Sequence, residues 1–301
     1  MQLWIYWWDA IWMLRSGCTR LRTFLWFATC VAGMMVRTDL LGVTSIVRAL
    51  GLHERFHDNL PDNFHSTGVL LDKMSALWAQ VVLRLFPDPL RVNGRLVLAG
   101  DGIKVPKSGK KMPAAKLLHQ ASDSNTKPEC IMGHSLRAVS MLVQATESVF
   151  AVPLATCIHE GLVWSNRDKR TLLDKMLTLL RIVDIRQPLY FVADAYYASQ
   201  KIITGLLDQN NHLVTRVRSN AVAYTPYNHQ GARKRGRPRV YGKKIALQSL
   251  FSHGQVMEQA ASPVYGEKNV TLQYLAANVP KLVWASFGSW LRTIRPGIAP
   301  L

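Results

Sequence analysis

Two aspartates stand where apolar segments end. Asp101 closes RLVLAGD (Arg95–Asp101) and Asp194 closes LYFVAD (Leu189–Asp194). Short apolar runs bounded by turn residues read as buried strands. In a mixed sheet, strand ends that lie side by side bring such carboxylates together. Two or three converging carboxylates can hold a pair of divalent cations, and magnesium and manganese prefer oxygen ligands. A metal pair ~4 Å apart activates a water or a 3′-hydroxyl and stabilises the leaving oxygen of an in-line phosphodiester displacement. Taken singly, an acid at a strand end is more often a cap or a loop residue. The pair gains weight from the charge of the rest of the chain.

That charge is strongly positive. Lys and Arg number 37 against 19 Asp and Glu, a formal net charge of +18, so a polyanionic partner is expected. Nucleic acid is the commonest such partner, and an anionic membrane surface is the rival. The cations are grouped. Lys104, Lys107, Lys110, Lys111 and Lys116 follow Asp101 with no acid among them. Arg233, Lys234, Arg235, Arg237 and Arg239 crowd the segment 228–244, where Gly and Pro break regular structure and an exposed basic loop is expected. The Arg-Gly-Arg-Pro within it resembles the core of an AT-hook. Arginines in an extended segment can enter a narrow A·T-rich minor groove, but a generic phosphate-binding loop is the first reading.

Other chemistry-bearing residues carry plainer readings. His53-Glu54-Arg55-Phe56-His57 matches the H-E-x-x-H zinc pattern, which needs both histidines on one helix face. Arg55 inside the motif, with Asp58 and Pro61 just after it, argues against a zinc hydrolase. His119 and His134 read as structural, although both follow the lysine-rich segment. Trp4, Trp7, Trp8 and Trp12 recur at near-helical spacing and read as packing, while Trp164 could stack on an extruded base. Asp168 and Asp174 read as solvated positions on a helix. Cys18, Cys30, Cys130 and Cys157 form no CxxC pair, which argues against a disulfide scaffold or a cysteine zinc site and fits a reducing cytosol.

The elements that must position the aspartates follow from pattern. Residues 1–92 read as an all-helical domain, with apolar spacing of three and four and breaks at Pro61, Pro87 and Pro89. The uncharged run Thr23–Val36 falls short of the ~20 apolar residues of a spanning helix, so a buried helix is expected there. A membrane-anchored basic protein or a signal peptide is the alternative. From Arg95 the order is strand, hairpin (His134–Gln144 with Phe150–His159), helix, strand, helix (Ser199–Asp208) and strand (His212–Val217). The first of these helices is expected to be capped by Ser165–Asn166 and to run to Val183. Antiparallel strands followed by alternating helices and strands indicate an α/β fold with a mixed sheet flanked by helices. Weak strand character continues to about Ala277.

AGDGIKVPKSGKKMPAAKLLHQ, SNTKPECIMGHS and FVADAYYASQKI resemble insertion-sequence DDE transposases of the bacterial cut-and-paste type, over about residues 1–274. Asp194 with Tyr197 resembles the second catalytic block of that family, and Asp101-Gly102 the first. The resemblance implies a ribonuclease-H-like core over 93–277, with a basic insertion near 228–244, behind a DNA-contacting helical domain over 1–92. It implies that Asp101 and Asp194 ligate Mg2+ or Mn2+ in a two-metal site. The lysines after Asp101 and the Arg233–Arg239 cluster would then hold DNA. The implied reaction is metal-dependent cleavage and transfer of DNA strands at element ends. Implied partners are double-stranded DNA, as transposon ends and target, and a second copy in a homodimer, with no membrane and no small-molecule substrate. The implied location is the bacterial cytoplasm, on the nucleoid when DNA is bound.

One departure matters. The family's third block, Tyr-x-x-Arg-x-x-x-Glu with a later Lys, is not found after Asp194. Glu258 and Glu267 lack its spacing. The acid-free segment 278–301 reads as a frame-changed or truncated tail, so a chain of low or no activity is expected. The alternative is a non-catalytic, basic DNA-binding remnant.

Overall fold

The structure, a computed structural model, describes residues 2–39, 42–108, 112, 114–119, 128–145, 148–159, 170–216, 220–226, 241–246, 249, 258–261, 271–274 and 283–284. The chain divides into two compact units, Met1–Leu90 with Asp101–Gln187, and Arg91–Gly100 with Pro188–Leu301.

In the first unit, the amino-terminal segment is helical as expected: α1 (Gln2–Trp12), α2 (Leu21–Val36), α3 (Val43–Ala49), α4 (Asn59–His65) and α5 (Leu71–Leu85). Their apolar stripes form two clusters. Ile11, Leu14, Cys18, Phe24, Ala28, Met74 and Val81 make one, and Cys30, Ile46, Val47 and Leu60 the other. The run read as a buried helix is α2, which buries Phe24, Ala28, Cys30 and Gly33. No helix of the described residues is long and apolar enough to cross a membrane. Trp8 and Trp12 pack edge-on against Phe24.

The same unit holds the later half of β2 (Arg95–Pro106) together with β3 (Lys116–His119), β4 (Cys130–Gln144), β5 (Val149–Ile158) and α6 (Leu172–Val183). The expected hairpin is β4–β5, antiparallel, with Gln144 opposite Val149 and Arg137 opposite Cys157. From Gly133 to Val143 every second residue of β4 is buried, the period-two pattern of a strand with one covered face. α5 and α6 pack against this hairpin, and the Trp78 indole N–H donates to the Pro153 carbonyl at 2.9 Å. α6 starts later than expected. Its cap is Thr171, in a reciprocal capping box with Asp174, and Ser165–Asn166 lie outside the described residues. Thr-x-x-Asp satisfies two end donors at once, so the helix begins there.

In the second unit, β1 (Arg91–Val92) and the first half of β2 form a tight hairpin through Asn93 and Gly94, whose φ values are 50° and 74°. An Asn-Gly pair supplies the left-handed conformation that a two-residue hairpin demands. β2 pairs in parallel with β6 (Leu189–Ala193), and β6 with β7 (His212–Thr215). Leu96, Val97 and Leu98 are consecutively buried, as expected of a strand covered on both faces. α7 (Gln200–Leu207), capped by Ser199, joins β6 to β7. The strand order is β3-β4-β2-β6-β7, with β1 on β2 and β5 on β4. This is the mixed sheet with helices expected from the sequence, behind a helical amino-terminal segment.

Smaller sheets complete the second unit. One has β8 (Val222–Pro226) between β9 (Tyr241–Ala246) and β12 (Val283–Trp284). The other pairs β10 (Glu258–Ala261) with β11 (Thr271–Tyr274). The end of the segment read as a basic loop, Tyr241–Lys244, is therefore strand, paired with β8. Within the segment read as an aberrant tail, Val283 and Trp284 pair with Tyr224 and Ala223.

Candidate catalytic site

Gly100 and Ala193, the residues just before the two aspartates, are register partners on neighbouring parallel strands. Within the second unit the β2–β6 ladder runs from Leu96↔Leu189 to Gly100↔Ala193. Asp101 is the next residue of β2, and Asp194 is the residue after β6. Both are exposed.

Each local fold is built around its acid. The Asp101 carboxylate accepts the Gly102 amide at 2.6 Å. Asp194 caps the 3-10 turn Ala195–Tyr197, its Oδ1 accepting the Tyr196 amide at 3.2 Å. The Asp194 carbonyl accepts from the Tyr197 amide at 3.1 Å and from the Thr215 hydroxyl at 2.8 Å, which ties the turn to β7. Tyr197 is 2% exposed and meets Phe191 edge-on at 6.3 Å. The Asp-x-x-Tyr spacing thus places the acid at the surface and its tyrosine in the core below.

Glycine is required just ahead of Asp101. A Cβ at Gly100 would collide with the buried Phe191 ring. Close approach of a core aromatic to the strand backbone leaves no room for any side chain at that position.

The other predicted site residues fall in several places. Lys104 lies on β2 rather than in a loop, because the strand runs on to Pro106. Its ammonium donates to the His119 carbonyl. Lys107 follows β2, and its backbone amide donates to the Met132 carbonyl at 2.9 Å. Lys110, Lys111, Arg233, Lys234, Arg235, Arg237 and Arg239 lie outside the described residues, as do Trp164 and Asp168. The H-E-x-x-H histidines flank a 3-10 turn, Glu54–Phe56, instead of sharing an α-helix, and the His57 Nδ1 is 3.2 Å from Asp58. No group of three or more His, Cys, Asp or Glu with metal-holding geometry occurs among the described residues.

Two aspartates with oxygen donors suit a hard divalent cation. Magnesium is commonly held by only one or two protein carboxylates, with phosphate oxygens and water completing the shell. Carboxylate oxygens are donors of the kind the implied metal takes, and Asp101 and Asp194 are two candidates for the three that the resemblance implies.

No curated protein matches this sequence. Among solved structures, a cryo-EM structure of a piggyBac transposase synaptic complex with hairpin DNA is similar, with a TM-score of 0.35 and 14% identity over 66% of this chain. The match spans 44% of that protein's chain, less than half its length. A family model described as DDE superfamily endonuclease matches residues 16–274, most of the sequence. This chain belongs to the DDE superfamily endonuclease family.

Proposed function

We propose that this chain is a DNA transposase of the DDE class, related to those of insertion sequences, in which Asp101 and Asp194 are metal-ligating carboxylates. The observation that carries the reading is the parallel register Gly100↔Ala193, with an aspartate next in sequence on each strand. Mg2+ or Mn2+ held there would supply activation of the attacking oxygen and stabilisation of the leaving one. The exposed carboxylates of Asp101 and Asp194 provide the anionic oxygens. Lys104 and Lys107, with Lys110, Lys111 and the Arg233–Arg239 cluster, hold the phosphate backbone of duplex DNA. The helical segment 1–92 adds DNA contacts, and a homodimer would engage paired ends. The proposed location is the bacterial cytoplasm, nucleoid-associated when DNA is bound.

Only two carboxylates of the expected set are identified, so strand cleavage and transfer by this polypeptide are expected to be weak or absent. A non-catalytic DNA-binding remnant is the second reading, favoured by the same missing glutamate. The test is a plasmid-nicking assay with Mg2+ or Mn2+, run beside duplex binding at several salt concentrations. Salt-sensitive duplex binding with little nicking is expected. Robust nicking would show that the chain holds a complete catalytic set, and a chain with no affinity for DNA would sink the transposase reading altogether.

A further inference from the structure

α1 buries one side and leaves a tryptophan stripe on another. Ile11 is buried, and Trp7 and Ala10 pack against the same core cluster. Trp4, Trp8 and Trp12 follow one another at a spacing of four, which sets them on a single stripe of the helix. They are 49%, 38% and 49% exposed. Ile5, three residues before Trp8, lies along the same side and is 55% exposed. The stripe is supported from below. Trp4 meets the half-buried Trp7 edge-on at 5.6 Å, and Trp8 and Trp12 both lean on the buried Phe24 of α2. Leu21 and Leu25, on either side of Phe24 in the sequence of α2, are exposed as well.

Three tryptophans at about half exposure offer roughly 200–350 Å2 of apolar surface between them. Ile5, Leu21 and Leu25 bring the total to about half of the ~800 Å2 per partner that a standard protein–protein interface buries. The charge of the helix narrows the occupant. Residues 1–14 contain no lysine or arginine in a chain that carries 37, and Asp9 is their only charged side chain. Arg15, the next cation, turns inward. Its Nη1 donates to the Cys18 carbonyl at 2.8 Å, and its guanidinium lies over the Phe24 ring at 5.9 Å. Stacking of single-stranded nucleic acid on aromatics is accompanied by a cationic groove that tracks the backbone. Adsorption of a helix to an anionic membrane uses lysines and arginines on its polar face. α1 supplies neither. Two copies of a chain with net charge +18 repel one another, and the repulsion is least where an apolar face carries no cation.

The stripe also has the symmetry that a pair of identical chains requires. A two-fold interface uses the same patch on both copies, so the patch must complement itself. Trp4, Trp8 and Trp12 are evenly spaced about Trp8, so antiparallel pairing of α1 with its copy opposes Trp8 to the partner's Trp8 and Trp4 to the partner's Trp12. We propose that the Trp4, Ile5, Trp8 and Trp12 face of α1 is a homodimer interface, occupied by the same face of a second copy of this chain. The proposal rests on the self-association included in the proposed function, gives it a surface, and does not involve the metal site.

The test is sedimentation of the full chain over a concentration series. A reversible dimer is expected, tightened by added salt because screening weakens the repulsion between two cationic copies. Trp4→Glu and Ile5→Lys should each raise its dissociation constant about tenfold or more. Urea midpoints check that the variants remain folded, and Ile5→Lys, at the more exposed position, decides if Trp4→Glu unfolds the chain. A dimer that folded variants leave intact overturns this surface while sparing the homodimer of the proposed function, and a chain that stays monomeric throughout overturns both. A monomer whose binding to phosphatidylcholine vesicles or to oligothymidylate is lost with Trp4→Glu and Ile5→Lys would give the face to a lipid surface or to single-stranded nucleic acid, and overturns the proposal as well.

Discussion

Gly100 and Ala193 are register partners at the end of the β2–β6 ladder, and each is followed in sequence by an aspartate. If Asp101 and Asp194 share a cation, Asn at either position should weaken Mn2+ binding about tenfold, and Asn at both should abolish it. Paramagnetic resonance of added Mn2+ reads this directly. The melting temperature should barely move, because both residues are exposed and Asn keeps an oxygen for the Gly102 or Tyr196 amide. Unchanged Mn2+ affinity in the double variant would remove these aspartates from the metal site.

Gly100→Ala should destabilise the second unit. The new methyl would enter the space of the Phe191 ring, and overpacking of this kind costs roughly 1–3 kcal/mol. Urea denaturation measures the loss, and adding Phe191→Leu should recover part of it. A variant as stable as the parent would mean that the aromatic ring has room to move.

Asn211 is 5% exposed and its side-chain oxygen accepts the Leu189 amide at 3.0 Å, anchoring the start of β6. Asn211→Ala leaves that buried donor unsatisfied, at a cost of about 1–3 kcal/mol. Amide exchange at Leu189 should accelerate, and unaltered protection there would contradict the assignment.

His212 gives the second unit a pH dependence of known sign. Burial, and then Arg95, hold its pKa below the ordinary 6.5. The unfolded chain therefore binds the proton more readily than the folded one. The stability contributed by neutral His212 is complete above about pH 6.5 and declines as the pH falls below it. Denaturant midpoints at pH 7.5 and 5.5 should differ more for the parent than for His212→Gln, and equal differences would rule the histidine out as the source.

The basic segment 228–244 makes an electrostatic prediction. Changing Arg235 and Arg237 to Ala should weaken duplex binding and lower the slope of log affinity against log salt by about 2. An unchanged slope would take this segment out of the DNA-binding account.

The strands that carry the aspartates were legible because their interior is continuously apolar and ends abruptly in an acid. The β4–β5 hairpin was legible from its two apolar runs and the break between them. Other features depended on partners distant in sequence. β2 continues beyond Asp101 into residues that look like loop, because its later half is paired in the sheet. The Thr171–Asp174 box was readable as Thr-x-x-Asp, but Ser165–Asn166 offered a competing cap upstream. Asn93-Gly94 was a hairpin signal passed over beside so short a strand. Arg137 was missed because a charged residue within an otherwise apolar strand, between Leu136 and Ala138, looks like one of its solvent-facing positions. Its parity with Val139, Met141 and Val143 was the signal that it points inward.

β2 contributes Arg95–Gly100 to one compact unit and Asp101–Pro106 to the other without a break in the strand. Dissecting the polypeptide for separate expression therefore meets an obstacle at that strand. A fragment ending at Gln187 would retain Leu96, Val97 and Leu98, which are at most 5% exposed in the whole chain, but strip them of β6. An orphaned apolar ladder of that sort seeks edge-to-edge pairing with other copies, so such pieces should aggregate on synthesis.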